Sequence, residues 1–226
     1  FQPDLPFVPG GECAGEVLAV GDKVSRFKVG DRVLSMTGHG AFCAKVAANE
    51  NAVFPVPEGL DFNQAAGVAM TYLTSYHALK QRAQLKKGET LLVLGAAGGV
   101  GSTAVELGKQ MGATVIAAAS SDEKLAFCRE LGADETVNYA DVPKWGKRVQ
   151  ELTGGVGVDH VVEVGGAGTL KQSLEAIRPG GIISMIGVLS GTRSELDVIP
   201  LLMKNVRIQG IIVGHAEGFE AMNRAI

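Results

Sequence analysis

The densest chemical signal lies in one short stretch. Leu91-Leu92-Val93-Leu94 runs directly into Gly95-Ala96-Ala97-Gly98-Gly99-Val100-Gly101, and a helix-forming segment follows. Residues this small let a phosphate group approach the main chain, and the first-turn N–H groups of a helix, with its dipole, attract the phosphate charge. The spacing is a variant of G-x-G-x-x-G: Gly95, Gly98 and Gly101, with alanine at Ala97 and an additional Gly99. Alone the pattern is weak, because a tight strand–helix packing turn favours small residues too. Its position after a strand and at the opening of a helix, at Val100, points to a bound pyrophosphate.

Such a site chooses its cofactor at the tip of the second strand, about 20 residues on, where an acid would bind a ribose 2′-OH. Here the stretch reads Ala117-Ala118-Ala119-Ser120-Ser121-Asp122-Glu123-Lys124. Two hydroxyls occupy the tip in place of an acid, and Lys124 lies one turn into the next helix. Two hydrogen-bonding side chains and an ammonium suit the 2′-phosphate of NADP(H). Each has a plainer reading as well: Ser120 as a helix N-cap in a capping box with Glu123, Lys124 as part of a solvated helix face.

These residues need a frame to hold them. After Pro55–Gly59 the sequence alternates strands (90–94, 114–118, 135–138, 159–164, 182–186, 206–211) with helices (100–111, 122–131, 144–152, 169–177), preceded by a helical stretch over 62–83. Continuous apolar strands between amphipathic helices predict a parallel sheet covered on both faces. Before Pro55, short β-rich runs (16–20, 32–36, 41–46, 52–54) separated by Gly-Asp turns predict part of a small all-β unit. The expected division is 1–60 for the β-rich unit, 61–215 for a doubly wound Rossmann dinucleotide-binding domain, and 216–226 for a segment returning to the first unit.

Composition narrows the function classes. Of 226 residues 46% are hydrophobic, which argues against disorder, and 21 basic against 24 acidic residues (net charge −3) give no sign of a nucleic-acid partner. Glycine is in surplus, 31 residues against a usual share of about 7%. Cys13, Cys43 and Cys128 are an odd number without a C-x-x-C pair, so a disulfide framework and a zinc knuckle are not expected, and the expected compartment is the cytoplasm. No apolar run is long enough to span a bilayer.

Together these residues resemble a known family. Leu5-Pro6-Phe7-Val8-Pro9-Gly10-Gly11-Glu12-Cys13-Ala14-Gly15-Glu16-Val17, Val29-Gly30-Asp31-Arg32-Val33, the Gly95–Gly101 turn and Glu130-Leu131-Gly132-Ala133-Asp134 are similar to the medium-chain dehydrogenase/reductase superfamily, and most of all to its zinc-free quinone oxidoreductase branch. From Trp145 onward, Leu152-Thr153-Gly154-Gly155 and Val158–Gly166 look more like a neighbouring alcohol-dehydrogenase-like branch. The resemblance implies an α/β Rossmann sheet with part of a β-rich GroES-like catalytic domain, the chain lacking that domain's opening strands and closing segment. It implies an NADPH-dependent hydride transfer to a quinone or activated alkene, with a zinc-free alcohol or enoyl reductase and a non-catalytic NADP(H)-binding protein as alternatives.

The resemblance also speaks to metal. Zinc enzymes of the superfamily carry a histidine where this chain has Gly11, no cysteine follows in Val68-Ala69-Met70-Thr71, and the cysteine-rich structural lobe is absent. No metal is therefore expected. Glu12 is expected to act as a structural hydrogen-bond acceptor, and His39, His77, His160 and His215 as surface or strand residues.

Further site residues follow from the resemblance and the sheet. Thr71 matches a carboxamide-contacting threonine, or caps its own helical turn. Tyr139 matches a tyrosine near the adenosine phosphate, or simply packs. Gly165, Gly166, Gly187 and Val188 end later strands on the edge where such sheets bind ligands, or form ordinary turns. No catalytic acid is evident, because a quinone accepts hydride without one and the cofactor carries the chemistry. The late apolar strand 206–211, if it is an edge, would be an aggregation liability unless paired, and the resemblance implies that it pairs with its twin in a homodimer.

Overall fold

The computed structural model describes residues 4–224, arranged as two compact units. The first comprises the N-terminal residues to Leu73 together with the chain from Gly214 onward; the second runs from Thr74 to Val213.

In the first unit β1 (Glu12–Glu16), β2 (Arg32–Met36) and β3 (Val53–Pro55) form an antiparallel sheet in the order β1-β2-β3. Glu12 lies opposite Met36 and Glu16 opposite Arg32. The first strand thus precedes the expected 16–20 run: the ladder ends at Glu16, and Leu18 and Val20 beyond it are exposed. The run 41–46 is not a strand either. Its start is drawn back to the Pro9–Gly10 main chain (Ala41 N to Gly10 O, 3.0 Å; Phe42 N to Pro9 O, 3.0 Å) instead of pairing in a ladder.

Helix α1 (Phe62–Gly67) is started by Asp61, whose carboxylate accepts the Gln64 N–H while the Gln64 side chain accepts the Asp61 N–H. It belongs with the first unit, so the division falls at Leu73/Thr74 and not at 60/61. The reason is packing: α1 lies on β1 and β2, and the Arg32 guanidinium sits over the Phe62 ring at 4.8 Å while donating to Leu60 O. The single helix expected over 62–83 is broken. Wider π-helical turns at Val68–Tyr72 and His77–Arg82 flank a short α2 (Leu73–Tyr76). His77 is buried within a helical turn, neither at the surface nor on a strand as expected, whereas His160 is a strand residue, and a buried one; His77 Nε2 accepts from Arg82 Nε at 3.1 Å. At the far end of the chain α8 (Ala216–Asn223) joins the first unit, where Phe219 packs on Phe54 with ring centroids 4.3 Å apart.

The second unit is a six-stranded parallel sheet: β4 (Thr90–Leu94), β5 (Thr114–Ala119), β6 (Glu135–Asn138), β7 (Val158–Glu163), β8 (Ile177–Met185) and β9 (Arg207–Gly210). Their order is β6-β5-β4-β7-β8-β9. Sequence order reverses beside β4, the switch point at which doubly wound sheets bind ligands. Helices α3 (Gly99–Gln110), α4 (Asp122–Glu130), α5 (Trp145–Leu152) and α6 (Leu170–Ala176) connect the strands. Leu91, Leu92, Val93, Val115, Ala117, Val162 and Ile183 are wholly buried, as strands covered on both faces require.

A short α7 (Ile199–Met203), absent from the expected elements, precedes β9 with Pro200 in its first turn. The Lys204 ammonium just after it donates to Leu174 O, Glu175 O and Ile177 O at 2.8, 3.0 and 2.9 Å. Burial lowers its pKa below the usual lysine value, and the nearby Glu175 charge offsets part of that. Among the described residues no helix is long and apolar enough to cross a membrane.

Candidate functional site

The carboxyl edge of the parallel sheet gathers most of the residues singled out above. Gly95 leaves β4 with φ +58°, a conformation that costs glycine little. The Ala96 N–H bonds to Ala118 O of β5 and the Gly98 N–H to Gly95 O, so the turn folds back on the two central strands. Gly98 is the N-cap of α3 and makes no side-chain cap. The N–H groups of Gly99, Val100 and Gly101 therefore open the helix where no preceding turn supplies carbonyls. Gly98 and Gly99 are exposed, Ala97 half-buried. A Cβ on Gly98 would stand 3.2 Å from Gly95 O, and one on Gly101 only 2.2 Å from the same oxygen. The first close approach keeps the turn bare, and the second lets α3 sit against β4. This cradle fits a pyrophosphate: small residues, exposed backbone and a helix dipole converge on it.

Beyond β5, Lys124 Nζ reaches Ser120 Oγ at 3.1 Å. The cap of α4 is Ser121, whose hydroxyl accepts from the Lys124 N–H; Ser120 does not take that role, and no capping box with Glu123 forms. One position decides this, because the helix starts at Asp122 and Ser121, with an extended backbone, directly precedes it. Ser120 is thereby left beside Lys124 at the strand tip. Asp122 is held sideways: Asn138 at the end of β6 donates its amide to Asp122 Oδ1 (3.2 Å) and to Asp141 Oδ2 (2.6 Å). Tyr139, exposed, follows directly, its N–H bonded to Ala119 O. Sequence reasoning passed over Asn138; an amide between two acids on neighbouring turns was the available sign.

On the other side of β4 two turns end β7 and β8. Gly165 and Gly166 are buried, Gly187 is half-buried and Val188 is exposed. They meet closely: a Cβ on Gly187 would lie 2.6 Å from Val164 O, and one on Gly166 2.9 Å from Val188 Cα.

In the first unit Thr71 lies within the π-helical stretch, where its hydroxyl donates to Gly67 O at 2.5 Å. Such wide turns recur at functional positions in helices. Glu12, half-buried, accepts the N–H of the preceding Met70 at 2.8 Å. Burial raises its pKa above the ordinary carboxyl value, and the Met70 N–H pulls it partly back.

Comparison with known proteins decides the family. A model described as "Alcohol dehydrogenase GroES-like domain" matches residues 1–74, and one described as "Zinc-binding dehydrogenase" matches residues 99–226. The chain is 38% identical to the quinone oxidoreductase-like protein 2 homolog of Nematostella vectensis, over 94% of this chain and 58% of that one. It is 42% identical to a quinone oxidoreductase of Pseudomonas aeruginosa, over 84% of this chain and 58% of the relative. The chain belongs to the medium-chain dehydrogenase/reductase superfamily, in its quinone oxidoreductase-like branch.

Solved structures of the superfamily share its fold. A crystal structure of an NAD-dependent alcohol dehydrogenase superposes with a TM-score of 0.91 at 31% identity, covering 98% of this chain and 72% of the other. A mycobacterial protein complexed with NADPH gives 0.90 at 31% identity, covering 100% and 72%. The chain spans about three-fifths of the length of the two curated relatives (58% of each).

The superfamily includes zinc enzymes, and the residues present do not fit that metal. Among the described residues no three His, Cys, Asp or Glu side chains are grouped to hold an ion, and zinc sites draw on three or four such ligands. Gly11 has no side chain to offer, and Glu12 is engaged by Met70.

Proposed function

We propose that the protein is an NADPH-dependent, zinc-independent oxidoreductase that reduces a quinone or an activated alkene. The observation that carries this reading is the pairing of Lys124 with Ser120 at the tip of β5, with no acid in the place where a ribose 2′-OH would be bound. A hydroxyl and an ammonium 3.1 Å apart offer several donors to one phosphate. Asn138, by engaging Asp122, keeps a carboxylate from turning toward that phosphate.

The chemistry supplied by the bound nicotinamide is a hydride at C4. The protein binds and orients. The Gly95–Gly101 turn takes the pyrophosphate, Ser120 and Lys124 the 2′-phosphate, and Tyr139 the adenosine side. Gly165, Gly187 and Val188 line the nicotinamide half, beyond β4. Overall, NADPH, a proton and the quinone give NADP⁺ and the hydroquinone. The proton comes from solvent, since the phenolate oxygen of the hydroquinone anion is basic enough to collect it without a dedicated donor.

The homodimer belongs to the same proposal. β9 is an edge of the sheet, and Ile212 just beyond it is 88% exposed, as strand pairing with a second copy would use. The cysteine pattern supports a cytoplasmic site of action.

NADPH oxidation, followed by absorbance with a small benzoquinone and no added metal, tests the activity. Turnover that survives a chelator is expected. NADPH binding without turnover with quinones or enones would make the protein a binding module. Lys124→Ala is expected to weaken NADPH roughly tenfold or more, the size of a lost charge-assisted hydrogen bond. NADH binding should be unchanged by that substitution, as measured by fluorescence titration.

A further inference from the structure

One buried ionisable side chain has no part in the binding scheme above. Glu163, the last residue of β7, is 0% exposed, yet its carboxylate is saturated with donors. Its Oε1 accepts the N–H groups of Gly165 (2.7 Å) and Gly166 (3.1 Å) and the hydroxyl of Thr169 (2.6 Å). Its Oε2 accepts the Ser173 hydroxyl from α6. Its main-chain oxygen takes the N–H groups of Ile186 (2.8 Å) and Gly187 (3.3 Å) at the end of β8. One residue thus bonds to both turns on the side of the sheet beyond β4.

A buried carboxylate is costly unless its lone pairs are filled, so its presence demands an account. An apolar residue would complete the core of β7 as well as its neighbours Val161 and Val162 do, but it would leave the Gly165 and Gly166 N–H groups buried and unpaired. The carboxylate pulls these two N–H groups inward and so turns the opposite face of the loop outward. Ser190 closes the assembly from the side: its N–H and hydroxyl both donate to Gly165 O, at 2.7 and 2.8 Å.

Resting on the dinucleotide reading above, we propose that Glu163 is a positioning residue for the nicotinamide half of the cofactor. It acts through the Gly165–Gly166 turn and touches no ligand. The adenosine half, over β5 and β6 on the other side of β4, does not depend on it.

The test compares two ligands on the wild type, Glu163→Gln and Ser173→Ala. NADPH fills both halves of the site, whereas 2′,5′-ADP fills only the adenosine half. Glutamine keeps the shape and an acceptor oxygen but removes the charge that makes the turn's bonds strong. E163Q is expected to bind NADPH about tenfold more weakly and 2′,5′-ADP within about twofold of wild type, given the usual strength of hydrogen bonds to charged groups. S173A, which keeps the carboxylate and removes one donor, should show the same selectivity at smaller amplitude, and it decides the matter if E163Q does not fold. Equal weakening of both ligands would mean a merely structural role and would overturn the proposal, as would no change in either. If the wild type binds neither ligand, the dinucleotide reading itself fails and this proposal falls with it.

Discussion

Gly101→Ala should unfold the dinucleotide cradle. A Cβ at Gly101 would lie 2.2 Å from Gly95 O and 2.7 Å from Ala96 Cα, both main-chain atoms that no rotamer change can move. Relief requires α3 to back away from β4. That disturbs contacts made by Ala104 and Val105, which are wholly buried, and the bond from Ser75 Oγ to Val100 O (2.9 Å). Overpacking of this kind costs about 3 kcal/mol, at the upper end of the usual range, because the obstacle is backbone. The expected readouts are a fall in Tm of about 10 °C and loss of NADPH binding, since the cradle N–H groups shift with the helix. Wild-type Tm in the variant would show that α3 has room the structure does not give it.

Lys204→Met is expected to be the second most damaging change. Methionine keeps much of the packing length of the side chain but removes an ammonium that satisfies three carbonyls near the end of α6. Helix C-termini leave carbonyls unpaired, and a cation there also complements the dipole. Glu175 O keeps the Gln150 amide as a donor at 2.8 Å, so the loss falls on Leu174 O and Ile177 O and costs about 2 kcal/mol, lessened where water can reach them. Denaturant melts should show a lower midpoint with an unchanged slope. Lys204→Arg should recover part of the loss, because a guanidinium retains charge and donors, though its planar fork suits three converging carbonyls less well.

The parallel sheet was legible because its strands are uninterrupted apolar runs: Leu91–Leu94 and Val161–Val162 have no polar face to mislead the reading. The glycine turn was legible for a different reason, since its spacing reports both a sharp exit from β4 and a close helix. Ends of elements were less so. Ser120 and Ser121 are equivalent by type, and the start of the helix at Asp122 makes Ser121 the cap. In the first unit the apolar run Val17–Val20 looks like a strand, but β2 runs out of partners at Arg32. The helix from Phe62 onward contains no proline or glycine pair to announce its two π-helical stretches, which arise from packing that local propensity does not encode. Glu163 could have been found: a carboxylate closing an apolar strand ahead of Gly-Gly is out of place unless donors await it. Asn138 carried a sign in the acids on either side of it, Asp122 and Asp141, whereas Lys204 acts through carbonyls distant in sequence, and nothing local marks it.

The choice of cofactor rests on the phosphate selected at the tip of β5. Fluorescence titration of the purified protein with NADPH and with NADH, at fixed ionic strength, measures that choice directly. NADPH should bind at least about tenfold more tightly, as expected of a phosphate held by an ammonium and a hydroxyl. Equal affinities, or a preference for NADH, would contradict the role given to Ser120 and Lys124.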